Sequence, residues 1–199
     1  MRWCGGGGVR LAGIRLHVAH KHRQELSGIR CCMASMTSSS PSHAPASWDA
    51  FATAEPDFAD TVQRRFRLYK HHVLATLRKD GSPRVTGLEA DFRFGEMLLG
   101  MMPDSLKALD LRRDPRFALH ANPGPDAEMN DGDARVSGRA VEITDPEVIA
   151  RFIEEATPPE PFHLFRAELT EVVRIGLDND ELVIRSWRPG QPLRTVRRK

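Results

Sequence analysis

Ser105 and Lys107 stand two residues apart, immediately after Pro103-Asp104 and where an apolar, strand-like run gives way to helical spacing. A helix start carries N–H groups with no intrahelical partner. A hydroxyl and an ammonium beside those donors make a seat for a phosphate. Each residue also has a plainer reading, Ser105 as a helix cap and Lys107 as a solvated cation on a helix face. No Ser/His/Asp triad, phosphate loop or dinucleotide glycine fingerprint occurs, and Gly5–Gly8 follows no strand. His71, His72, His120 and His163 show no metal-ligand spacing, so no metal is expected. No residue can be singled out as a general acid or base, and His120 is only a weak candidate.

The elements that must position this pair can be read along the chain. Phe58, Val62, Phe66 and Tyr69 recur at helical spacing, which predicts a helix over Asp57–Tyr69. His71–Lys79 alternates as a strand. Asp80-Gly81 then predicts a type I′ hairpin into a second strand, Pro83–Phe92. Arg93-Phe94-Gly95 is a second turn and Glu96–Met102 a third strand. Asp104-Ser105 is expected to cap a helix ending at Asp114-Pro115. Arg116–Ala121 and Ala134–Thr144 continue the strands, the latter with a bulge expected at Gly138. Asp145-Pro146 opens a third helix, and Leu164–Gly176 with Glu181–Trp187 forms a closing hairpin. The sum is a mainly β, α+β chain of six to seven antiparallel strands and about three helices, closed as a barrel.

Three regions follow: a basic extension with a Ser/Pro linker over 1–47, a cofactor-binding body over 48–190, and a basic tail over 191–199 that is either a solvated end or an anion clamp. The first 36 residues hold six Arg/Lys against one acid, Glu25, and read as an over-extended start, a disordered tail or a targeting peptide. Lys+Arg 29 against Asp+Glu 27 leaves no field for nucleic acid, and no apolar run is long enough to span a bilayer. The three cysteines, Cys4, Cys31 and Cys32, precede the body, which fits a reducing cytoplasm.

The hairpin VLATLRKDGSPRVT, the strand–helix–strand LLGMMPDSLKALDLRRDPRFALH, the strand VSGRAVEI and the closing FHLFRAELTEVVRI together resemble the pyridoxamine 5′-phosphate oxidase-like FMN-binding split barrels. The resemblance spans about His71 to Trp187 and implies a split β-barrel. It also implies a homodimer with FMN at the subunit interface, and oxidoreduction of a small organic substrate. By the same resemblance Arg84, Val85 and Thr86 face the flavin, the backbone of Gly100, Met101 and Met102 runs along its ring edge, and Ser105 and Lys107 grip its phosphate. Trp187 either stacks on the ring from the partner subunit or closes the barrel.

Three departures mark this chain. The family's Ser-Arg-Lys is Ser105-Leu106-Lys107, its Tyr-Thr is Met101-Met102, and Ser186-Trp187-Arg188-Pro189 stands where an Arg-x-His holds the vitamin phosphate. Loss of those cations argues against oxidation of pyridoxamine phosphate itself. The pattern is closer to the flavin/deazaflavin oxidoreductases, so coenzyme F-420 is the alternative cofactor. A flavin- or haem-binding carrier or sensor is the alternative of another class.

Overall fold

The computed structural model describes residues 44–125 and 132–199. The basic N-terminal segment with its cysteines, and most of the loop Asn122–Asp131, lie outside the described residues. Among these residues there are nine strands and four helices, an antiparallel barrel-like sheet with helices against it.

Helix α1 (Trp48–Ala54) was not expected. It is capped by Ser47, whose Oγ accepts from Ala50 N at 3.1 Å, and buries Trp48 and Phe51. At seven residues it is too short to display a helical repeat. Helix α2 (Pro56–Arg67) places Pro56 in its first turn and buries Phe58, Val62 and Phe66, the apolar positions the spacing marks. These rings join the main hydrophobic core: Phe51 packs edge-on against Phe58 at 5.7 Å, and Trp187 lies 4.7 Å from Phe51. Removing each such ring from water contributes roughly 1.5–3 kcal/mol.

Strands β1 (His72–Leu77) and β2 (Pro83–Leu88) form the first hairpin. Its turn is not type I′, which needs positive φ at both central residues; only Gly81 (φ 83°) has it. Asp80 Oδ1 instead accepts from Ser82 N at 2.9 Å and Ser82 Oγ at 2.6 Å, and this holds a longer loop. The primed geometry belongs to the next turn, where Phe94 (φ 57°) and Gly95 (φ 72°) join β3 (Ala90–Arg93) to β4 (Glu96–Met101). The expected second strand is therefore two strands, β2 and β3, parted at Glu89. They occupy opposite ends of the path β2-β1-β5-β6-β7-β4-β3, so the chain crosses the seam of the barrel there without a ladder.

Helix α3 (Leu106–Arg113) follows β4; then come β5 (Arg116–His120), β6 (Asp133–Glu142), α4 (Pro146–Ala156), β7 (His163–Asp178) and β8 (Glu181–Trp187). Sixteen residues long, β7 pairs with β4 over His163–Arg166, with β6 over Phe165–Ile175 and with β8 over Val172–Asp178. The ladder slips between Ser137 and Gly138, the expected bulge, and a Cβ on Gly138 would sit 2.0 Å from Glu168 O. The basic tail is corrected: Arg194–Arg198 is a strand, β9, paired to β8. Arg197 there is held by Asp178 at 2.8 Å and Glu181 at 3.0 Å, so its charge is already matched. No helix among the described residues is long and apolar enough to cross a membrane.

Candidate functional site

β4 runs out at Met101, and alternation turns Met101 inward to the core while Met102 is 77% exposed. The chain then reverses through Asp104, which takes a left-handed φ of 53°, a conformation that Asp tolerates better than most side chains. Ser105 follows in extended backbone at the N-cap position of α3. Its side chain makes no capping hydrogen bond, which corrects the expectation of a conventional cap. Ser105 Oγ is instead buried without a partner among the described residues. The same holds for Thr86 Oγ1 on β2. A buried hydroxyl left unpaired costs about 1–3 kcal/mol, so each of the two has capacity for an acceptor that the chain itself does not supply.

Lys107 joins the two elements directly, donating from Nζ to Gly87 O at 2.6 Å. Burial pushes its ammonium below the ordinary lysine range. A Cβ on Gly87 or on Gly100 would meet nothing within 4 Å, so both backbones face open space. Arg84, opposite Thr76 in the β1–β2 register, turns its Nε to Asp110 Oδ2 at 2.6 Å. Val85 points the other way and is 66% exposed. Asp110 also accepts from Thr76 Oγ1 at 3.0 Å and from Arg113 at 3.0 Å. Burial raises its pKa, but the bonds from Arg84, Arg113 and Thr76 outweigh that and hold the carboxyl below its usual range.

The structure thus joins β2 to α3 through Lys107 on Gly87 and Arg84 on Asp110, with Thr86 next to Gly87 in the chain and Ser105 two residues before Lys107. Trp187 is not among them. It is buried against Phe51 in the core, which leaves no ring face for a ligand and corrects the stacking expectation. Arg112 and Arg113 do not replace the cation missing at Leu106: Arg112 pairs with Glu142 at 2.6 Å and Arg113 with Asp110. Sequence reasoning missed Asp110, whose one signal was an acid interrupting the helix's apolar positions. It also missed Glu142, since nothing local marks a partner thirty residues away from Arg112. Two shallow grooves, of about 510 and 440 Å³, lie elsewhere, beside Arg185 and Arg197 and beside Glu96 and Arg166. Neither is lined by a residue of α3.

The sequence pattern of the family described as pyridoxamine 5′-phosphate oxidase matches residues 58–175, more than half of the chain. The chain belongs to the pyridoxamine 5′-phosphate oxidase family. No curated protein matches it. One solved structure, 25% identical, superimposes with a TM-score of 0.52 over 65% of this chain and 91% of its own. A pyridoxamine 5′-phosphate oxidase-related, FMN-binding protein from Nostoc punctiforme shares the fold at 13% identity and a TM-score of 0.51, over 73% of this chain and 96% of that one. PhzG from Burkholderia lata, in complex with tetrahydrophenazine-1-carboxylic acid, is 16% identical with a TM-score of 0.49, over 75% of this chain and 91% of that one. The matched span of the pyridoxamine 5′-phosphate oxidase family includes every proposed site residue but Trp187.

Proposed function

We propose that this chain is an FMN-dependent oxidoreductase that works as a homodimer on a small organic substrate. The observation that carries the reading is the contact of Lys107 Nζ with Gly87 O between α3 and β2, with the unpartnered hydroxyls of Thr86 and Ser105 close by in the chain. Phosphate is the group that chemistry fits, since it offers several acceptor oxygens to hydroxyl, ammonium and helix N–H donors at once. A bound flavin supplies hydride or electron-pair transfer; the protein supplies binding, orientation and local charge. Ser105, Thr86 and Lys107 would hold the phosphate. Arg84, kept in place by Asp110, brings positive charge to the same strand. Backbone at Gly100–Met102 and the exposed Met102 side chain would border the ring.

A second copy supports the site in this reading. Val85 at 66%, Leu106 at 60% and Leu109 at 42% exposure are apolar residues facing solvent on β2 and α3. Covering them with a twofold mate would enclose the cofactor. The test is the absorbance and mass spectrum of the ligand carried by the purified protein, followed by titration of the apo-protein. FMN bound at one per chain and weakened by Lys107→Ala supports the reading. A Soret band would transfer the protein to haem binding, and a colourless protein that takes up coenzyme F-420 would change the cofactor. Bound FMN that no reductant or acceptor turns over would make it a carrier.

A further inference from the structure

The last three strands carry arginines on one face. Strand alternation places Arg174 and Gly176 of β7, Arg185 of β8, and Thr195 and Arg197 of β9 on the same side, where they line the groove of about 510 Å³. Arg174 stands directly opposite Arg185 in the ladder, and Arg185 directly opposite Thr195. Like charges facing each other across a ladder destabilise it, yet the chain keeps this pair. The acids of the same face do not offset Arg185, because Asp178 and Glu181 both bind Arg197, at 2.8 and 3.0 Å. Arg174 is tethered through Nη1 to the backbone oxygens of Asp133 and Ile175, at 3.2 and 2.8 Å. Arg185 is half-buried and makes no hydrogen bond or ion pair among the described residues. Its guanidinium lies 5.8 Å from the centre of the buried Phe58 ring. A ring contact of that kind occupies the face of a guanidinium and leaves its N–H edge to donate. Beside it a Cβ on Gly176 would meet nothing within 4 Å, so the backbone there is open to a ligand.

We propose that this groove is a second anion site, which takes the phosphate group of a small molecule with Arg185 as its principal donor and the Thr195 hydroxyl beside it. Phosphate suits the row better than carboxylate does. Its three terminal oxygens can accept from neighbouring strands at once, whereas a carboxylate pairs with a single guanidinium. A phosphate seated over Arg185 also offsets the repulsion from Arg174 across the ladder. The site stands apart from the cofactor reading above, since no residue of β2 or α3 lines it.

The test is titration of the full chain with inorganic phosphate at constant ionic strength, followed through the Arg185 Nε and Gly176 amide resonances. Both are expected to move and to saturate. Arg185→Gln is expected to weaken phosphate binding about tenfold or more, the loss of a charge-assisted bond. Arg185 also packs on Phe58, so Thr195→Ala, at an exposed position, is the second variant; it is expected to bind phosphate about threefold more weakly and decides alone if Arg185→Gln does not fold. Shifts that never saturate, equal shifts with acetate, or phosphate affinity unchanged in the folded variants overturn the proposal. Lys107→Ala separates the two sites. The Arg185 and Gly176 shifts persist in it if the groove holds the phosphate, and their loss there overturns the proposal, whereas FMN binding in that variant reports on the cofactor reading alone. Pyrophosphate distinguishes the source: tighter binding than phosphate supports a diphosphate-bearing ligand, and equal binding supports a monoester.

Discussion

Arg84 Nε and Asp110 Oδ2 meet at 2.6 Å between β2 and α3, and Asp110 is only 3% exposed. This pair fixes the helix whose start carries Ser105 and Lys107. Asp110→Asn removes the charge and leaves the Arg84 and Arg113 donors facing a neutral amide. The expected cost is about 3–5 kcal/mol, read by urea denaturation. Its pH dependence has a definite sign. The folded carboxyl is held below its unfolded value, so its contribution is complete above the unfolded pKa and is lost as pH falls through the folded one. In the Asn variant that acid-dependent part of the unfolding curve disappears.

His72 titrates in a different window. It is 3% exposed, accepts from Asn122 N at 3.3 Å and lies 5.0 Å from the Phe66 ring. Burial first, then the charges of His71 and Arg65, lower its pKa from 6.5 to about 4. The unfolded chain binds the proton more readily, so stability is full above pH 6.5 and declines down to about pH 4. The decline is on the order of 3 kcal/mol, and His72→Phe removes it. Thermal unfolding at successive pH values checks this; an unchanged slope in His72→Phe refutes it.

Gly138 is a position where one methyl group is decisive. Its Cβ would lie 2.0 Å from the backbone oxygen of Glu168, which no side-chain motion can relieve. Gly138→Ala is expected to cost at least about 3 kcal/mol, at the upper end of overpacking, or to prevent folding. Gly87→Ala, where an added Cβ meets nothing within 4 Å, is the matched control and leaves stability nearly unchanged.

Ser105→Ala and Thr86→Ala should separate stability from binding. Each removes a buried hydroxyl without a partner, so the apo-protein is expected to gain about 1 kcal/mol rather than lose it. FMN affinity is expected to drop about three- to tenfold for each. Melting curves and flavin fluorescence titrations report the two effects. A variant that loses both together marks the hydroxyl as structural.

Leu106→Glu places a charge at a position 60% exposed in one protomer. If a twofold mate covers it, the variant sediments as a monomer and loses cofactor with it. Dimers at the wild-type concentration dependence would remove α3 from the interface.

Much of this protein was legible along the chain because the signals were local. The spacing of Phe58, Val62 and Phe66 made α2, Asp145-Pro146 made the start of α4, and Gly138 marked the bulge, each a signal carried by one residue or a short run. Ser105 and Lys107 stood out for the same reason. The type I′ turn was misplaced because Asp80 spends its carboxylate on Ser82, a side-chain choice that φ preferences do not encode.

Tertiary structure alone decided what those residues face. Arg194–Arg198 reads as a loose basic end until β8 offers a ladder, and Trp187 reads as a possible ring partner until Phe51 covers it. Asp110 and Glu142 acquire their meaning only when β1, β2 and β6 converge on α3. Hydrophobic spacing determines which side of an element is buried, because that is a property of consecutive residues. Which acid meets which base depends on where distant strands come to lie, and no local pattern carries that information.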